Sequence, residues 1–183
     1  MNKQRKLNTR DLVSASVFSA MCAIATAIKI PFGAGAMVHL GTAFIFTIAI
    51  LFGGVYAGLA GAIGSAFYDL LMGSSPYTLW SFFIKGIAGL IAGVIAKGLW
   101  PEATGSFCGI SSNRWLLRAI LGCVLAATWT LGGYTVAWWQ VTGSLTTAVA
   151  NMSSSLLTSG IGFIVALLLV PKLRRVVRSG GPQ

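Results

Sequence analysis

The sequence predicts an all-α integral membrane protein with six transmembrane helices and both termini on the cytoplasmic side. Three observations carry this. First, 56% of the 183 residues are hydrophobic and only 9% are charged, with mean hydropathy +0.83. A soluble domain carries about 25% charged residues, and so few charges cannot cover a surface that faces water. Second, the apolar residues fall into six blocks separated by Gly, Pro, Ser and Thr clusters. Third, with the N-terminus inside, the cytoplasmic flanks hold Lys3, Arg5, Lys6, Arg10, Lys97, Arg114, Arg118, Lys172, Arg174, Arg175 and Arg178, which is 11 of the 13 basic residues. Only Lys29 and Lys85 fall toward the outside. Five or seven spans would place one basic terminus outside, against the positive-inside rule.

The elements follow in order. Segment one covers about residues 12–30 and stops at Pro31. Asp11 stands near its start, where a carboxylate meets free N–H groups and the positive end of the helix. The basic stretch before it imitates a signal peptide, but further apolar segments follow and no small-x-small site closes the first, so it reads as a retained span. A Gly-rich loop, PFGAGAMVHLG, runs from Pro31 to Gly41. Segment two (about 42–52) and segment three (about 56–72) form a hairpin of short helices broken by Gly53 and Gly54. After the turn GSSPY, segment four covers about 79–100 and is followed by a polar loop containing Glu102. Segment five is about 115–139, a Thr-rich linker follows, and segment six is about 152–170, with Pro171 opening the basic tail. The chain is one membrane domain, 1–183, with cytoplasmic tails 1–10 and 171–183.

The net charge of +10 suggests nucleic acid at first sight. Its confinement to the flanks of apolar segments is instead the pattern of membrane orientation. Cys22, Cys108 and Cys123 have no metal-type spacing, and one His is too few for a metal set. The three are expected to be small buried hydrophobes. The acids are only Asp11, Asp69 and Glu102. They supply no carboxylate pair, and no Gly-rich phosphate loop ending in Lys–Ser or Lys–Thr is present. Neither an enzyme nor a resident cofactor or metal is expected.

Asp69 and Lys85 stand out, because an ionisable residue inside a span costs a few kcal/mol on insertion scales. At about 1.5 Å rise per residue their backbones differ in depth by about one turn. Two readings stand: a structural salt bridge between helices three and four, or a pair facing a ligand cavity on the outer side. The outer half also gathers His39, Tyr77, Trp80, Tyr134, Trp138 and Asn151. Each fits an interfacial belt or a loop by itself, but together they offer ring faces and hydrogen bonds to a flat heteroaromatic ligand. Asn151, Ser154 and their neighbours up to Ser159 make a polar start to helix six, either capping it or meeting a polar ligand. Gly54/Gly58 and Gly89/Gly93 permit close contacts within the fold. Ala15, Ser19, Ala23 and Ala27 recur every four residues and form a smooth stripe on helix one, to be covered by this chain or by another.

Specific stretches carry a family likeness. HLGTAFIF at His39 to Phe46, LFGGVYAGLAGAIGSAFYDLLMG at Leu51 to Gly73 and FFIKGIAGLIAG at Phe82 to Gly93 occur in that order. Together they resemble the S component, the substrate-binding membrane subunit, of energy-coupling factor (ECF) vitamin transporters, in the riboflavin, pyridoxine and hydroxymethylpyrimidine-type branch. The likeness covers helices one to four, and the C-terminal third matches in pattern only. It implies a subunit in the bacterial cell membrane that captures a vitamin outside under a closing loop, then topples in the bilayer. Partners would be a T component and two ABC-type ATPases, so ATP is used by the partners and not bound by this chain. It implies that Ala15, Ser19, Ala23 and Ala27 form the face for the T component. It suggests pyridoxine or hydroxymethylpyrimidine first and riboflavin second. A self-contained transporter or channel would need an ionisable relay through the inner half of the helices, which the sequence does not offer. A ligand-free scaffold predicts that replacing Tyr134, Trp138 or Asn151 changes only stability.

Overall fold

The computed structural model describes residues 8–32, 36–73, 75–100 and 112–179. Expectations placed on residues 1–7, on Glu102 and Cys108 in the 101–111 stretch, and on residues 180–183 lie outside the described residues. The elements are α1 (Thr9–Ala27), β1 (Lys29–Phe32), β2 (Ala36–His39), α2 (Gly41–Phe52), α3 (Gly54–Leu71), α4 (Ser75–Ala96), α5 (Ser112–Thr142) and α6 (Leu145–Ser179). Five helices are long and apolar enough to cross a membrane by length and composition, and α2, with 12 residues, is shorter.

The helix starts show why these residues fold as they do. Asn8 caps α1, accepting from the Thr9 N–H at 2.8 Å, while Asp11 reaches back to the Asn8 N–H at 3.1 Å. This reciprocal box satisfies N–H groups that have no partner inside the helix. Asp11 also accepts from the Tyr56 hydroxyl at 2.5 Å, which ties α1 to α3. The start of α3 is met by backbone: Gly54 and Val55 donate to the carbonyls of Gly98 and Leu99 at 2.9 and 3.0 Å. Gly53 turns the chain between α2 and α3 with φ +92°, and a Cβ there would lie 2.9 Å from the Gly98 oxygen, so only glycine fits.

The structure departs from the sequence expectation in four places. The all-α reading misses a hairpin: Lys29 pairs with His39, and Phe32 with Ala36, in antiparallel register. Pro31 stops α-helix but is tolerated in a two-stranded edge. Helix α4 begins at Ser75, not near 79, because Pro76 in the first turn removes only an N–H that would be unpaired anyway. Helix α6 begins at Leu145, not 152: the Ser144 hydroxyl accepts from the Thr147 N–H at 3.3 Å, a cap preceded by Gly143 at φ +67°. Asn151 to Ser159 are therefore helix interior, and Asn151 donates to the Thr147 carbonyl at 2.9 Å. Finally, α6 continues through Pro171 to Ser179, giving up one backbone hydrogen bond where the expected end was.

Helix α2 is the centre. All of it but Phe44 and Phe52 is buried, and it packs on α1, α3, α4 and α6. The core is mostly small: Ala49, Ala57, Ala60, Ala88, Ala92 and Ala126 are buried around Ile45, Phe46 and Ile50. Cys22 and Cys123 are buried free thiols, as expected for small hydrophobes.

The stripe on α1 is a correction. Ala15, Ser19 and Ala23 are buried within this chain, and only Ala27 of the four is exposed. Their cover is α3: a Cβ on Gly64 would lie 2.6 Å from the Ser19 carbonyl oxygen and 2.7 Å from Cys22 Cβ. The Ser19 hydroxyl bonds the Ala15 carbonyl at 2.8 Å and approaches that of Leu59 at 3.4 Å. A smooth face cannot serve an outside partner while a glycine-rich helix of the same chain fills it. The exposed residues of α1 include the large Leu12, Val13, Val17, Met21 and Ile24 and the small Ser16 and Ala20. Ser19→Leu is therefore expected to lower stability by about 1–3 kcal/mol through overpacking, read as a lower unfolding temperature in detergent, with Ala27→Leu close to wild type.

Candidate functional site

Helical spacing places the polar residues of four helices and the hairpin around one space. On α3, Ser65, Tyr68 and Asp69 stand at i, i+3 and i+4. On α4, Tyr77, Ser81 and Lys85 follow at steps of four, as do Thr130, Tyr134 and Trp138 on α5. On α6, Asn151, Ser154, Ser155, Thr158 and Ser159 share a face. These residues line a cavity of about 390 Å³, with Thr26 at the end of α1 and with Lys29 and His39 from the hairpin. The cavity lies at the end of the bundle away from the Asp11–Tyr56 bond, where α3 ends and α4 begins.

Eight of the nine residues expected to bind ligand line this cavity: His39, Asp69, Tyr77, Lys85, Tyr134, Trp138, Asn151 and Ser154. Trp80 is the exception. One residue before Ser81, it is turned about 100° around the helix and faces an apolar groove between α4 and α5 with Phe83, Trp129 and Val136. The sequence reading passed over Thr26, Lys29, Ser65, Tyr68, Ser81 and Thr130. The signal that finds them is present: each stands three or four residues from a lining residue or at a helix end beside the hairpin.

The geometry settles one alternative. Asp69 and Lys85 form no ion pair within 4 Å, so of the two readings the structural salt bridge is not formed. The Lys85 ammonium, buried at 4% exposure, donates to the Thr42 hydroxyl at 2.7 Å and lies 5.5 Å from the centre of the Tyr134 ring. Tyr134 and Ser81 share a hydrogen bond of 3.2 Å. Asp69 keeps its Oδ2 buried without a hydrogen-bond partner. Lys29 stands over the Tyr68 ring at 5.2 Å, and the Tyr77 and Trp138 rings lie 4.9 Å apart at 44°. Burial holds His39 far below the usual imidazole range, at about 3, with the charges of Lys85 and Lys29 adding to the effect. Its ring is therefore neutral, and its buried Nδ1 has no partner.

Such a lining offers ring faces for stacking and separate donors and acceptors, but no nucleophile–base pair. Among the described residues no group of three His, Cys, Asp or Glu could hold a metal ion.

Comparisons with known proteins agree with this architecture. Residues 6–175 match the family model described as ECF-type riboflavin transporter, S component. An uncharacterised protein of Pyrococcus woesei is 29% identical over 152 residues, covering 80% of this chain and 93% of that protein. A UPF0397 protein of Exiguobacterium sp. is 32% identical over 99 residues, 53% of this chain and 54% of that protein. Among solved structures, ThiT from Listeria monocytogenes superposes with TM-score 0.68 at 16% identity, covering 93% of this chain and 98% of that one. The S component of a bacterial ECF transporter does so with TM-score 0.63 at 15% identity, covering 91% and 96%. At these identities the structural likeness concerns the fold.

Proposed function

The chain belongs to the family of ECF-type riboflavin transporter S components, and we propose that it captures a small hydroxylated heteroaromatic vitamin or precursor, with pyridoxine or hydroxymethylpyrimidine as the ligand. It is a transporter subunit and not an enzyme. One observation carries the ligand size and chemistry. Among the described residues the cavity wall contains Ser, Thr, Tyr, Trp, Asn, His, Asp and Lys, and no aliphatic side chain. A ring with hydroxymethyl and hydroxyl substituents meets such a wall with stacking on its faces and hydrogen bonds around its edge. Riboflavin, named in the family description, is the second reading, and the missing aliphatic patch for its dimethylbenzene edge counts against it.

In this reading α2 completes six membrane crossings, both termini are cytoplasmic, and the cavity opens on the outer side of the bacterial plasma membrane. The basic flanks support that orientation. The ligand is handed over through a T component and two ABC-type ATPases, which use the ATP. The hairpin, contributing Lys29 and His39, is the cover of the site. Native mass spectrometry of the detergent-purified chain, incubated with pyridoxine, hydroxymethylpyrimidine and riboflavin, tests the reading. A one-to-one adduct with a pyridine or pyrimidine is expected. An adduct with riboflavin alone moves the assignment to the second reading, and no adduct at all removes ligand capture.

A further inference from the structure

Two opposite charges face one cavity: the Lys85 ammonium is buried, and the half-buried Asp69 has one carboxylate oxygen, Oδ2, out of reach of water. Asp69 and Lys85 both line the space, yet no ion pair within 4 Å joins them. Asp69 Oδ2 is buried with no hydrogen-bond partner. Lys85 has three N–H donors, and among the described residues its hydrogen bonding is confined to Thr42. A buried acceptor left empty is costly, the more so when it is charged, and a bridging molecule would complete the arrangement. That molecule must present a donor to Asp69 and an acceptor, preferably anionic, to Lys85. The rings of Tyr134, Tyr77 and Trp138 in the same wall require it to be flat.

We infer that Asp69 and Lys85 read the two poles of one ligand ring: Asp69 accepts from a protonated ring nitrogen, and Lys85 donates to a ring oxyanion. The inference rests on the proposed capture of a small heteroaromatic and names its class as a hydroxypyridine in its zwitterionic form. The formal charges then cancel in pairs, which offsets the cost of burying each. An aminopyrimidine offers N–H groups to Asp69 but only a neutral ring nitrogen to Lys85, so it satisfies half of the pair. A phosphate ester would bring two further negative charges against Asp69.

Titration calorimetry on the detergent-solubilised full chain tests this with three probes: pyridoxine, its analogue with C–H in place of the ring nitrogen, and 3-deoxypyridoxine. The wild type is expected to bind each analogue at least tenfold more weakly than pyridoxine. Asp69→Asn should weaken pyridoxine at least tenfold and leave the C–H analogue within twofold, because that analogue never used the carboxylate. Equal wild-type affinity for pyridoxine and the C–H analogue overturns the two-pole reading while leaving capture of a small ring intact. No binding of pyridoxine, hydroxymethylpyrimidine or riboflavin removes both. The wild-type analogue series decides the matter even if Asp69→Asn does not fold.

Discussion

Lys85→Met is expected to leave the protein folded and to weaken ligand binding by about 10- to 100-fold. The two halves of this expectation have different causes. Lys85 is buried at 4% exposure in the middle of α4, with the Thr42 hydroxyl as its hydrogen-bond partner and the Tyr134 ring face beside it. Withdrawing an ammonium from water costs several kcal/mol, and a single neutral hydrogen bond and a cation–π contact recover only part of that. Methionine has nearly the same length and no charge. The ligand-free unfolding temperature should therefore stay level or rise. Binding should move the other way: a hydrogen bond to a charged group contributes about 1.5–3 kcal/mol, and each 1.4 kcal/mol is about tenfold in affinity. Calorimetry with pyridoxine and thermal unfolding of the same sample separate the two quantities. Parallel losses in both would show that Lys85 serves the fold and not the ligand.

Gly89→Ala should have the largest effect on stability of any single methyl addition outside the site. At Gly89 a Cβ would lie 2.3 Å from the Ala57 carbonyl oxygen and 2.5 Å from its carbon. These are backbone atoms of α3 and cannot turn aside as a side chain could. Four residues on, a Cβ on Gly93 would lie 2.4 Å from the Gly54 nitrogen, so the helices approach as closely there and cannot pivot about one contact to relieve the other. In lipid the apolar surroundings give no hydrophobic reward for keeping helices together, and close packing has to hold them. Separating α3 from α4 should cost about 3 kcal/mol, at the upper end for overpacking. Because α3 carries Asp69 and α4 carries Lys85, affinity should fall with it. Gly132→Ala is the control: nothing lies within 4 Å of a Cβ there, and alanine favours a helix interior by about 0.5–1 kcal/mol over glycine. Reversible denaturation in mixed micelles compares them, and equal stability of Gly89→Ala and Gly132→Ala would show that the crossing adapts.

By itself the sequence determined the class of the protein and most of the side chains that line its cavity. Scarce charge, blocks of apolar residues and basic flanks leave a membrane bundle as the solution. Helical periodicity then predicts which polar residues share a face, and eight of nine chosen side chains line one cavity. Trp80 lies outside that cavity: belt residues and cavity residues have the same composition, and only its angle from Ser81 and Lys85 separates them. The weak points in the sequence were the ends of elements. Ser144 capping α6 and Pro76 opening α4 are local signals overshadowed by the Thr- and Ser-rich surroundings. The hairpin was missed because its strands, Lys29–Phe32 and Ala36–His39, have four residues each, too few for an alternating pattern to stand out.

Tertiary structure alone decided who covers whom. The small stripe of Ala15, Ser19 and Ala23 has the same spacing whether it meets this chain or another, and the glycine at Gly64 on α3 is what fills it. Likewise, the depth of Asp69 and Lys85 allowed a salt bridge. The distance between their side chains depends on how α3 and α4 cross, and on Thr42 reaching the ammonium from α2. Spacing along a helix fixes a direction around its axis; it carries no information about the neighbour in that direction. That neighbour follows from packing of all the helices at once, and here it leaves a carboxylate and an ammonium facing the same cavity unpaired.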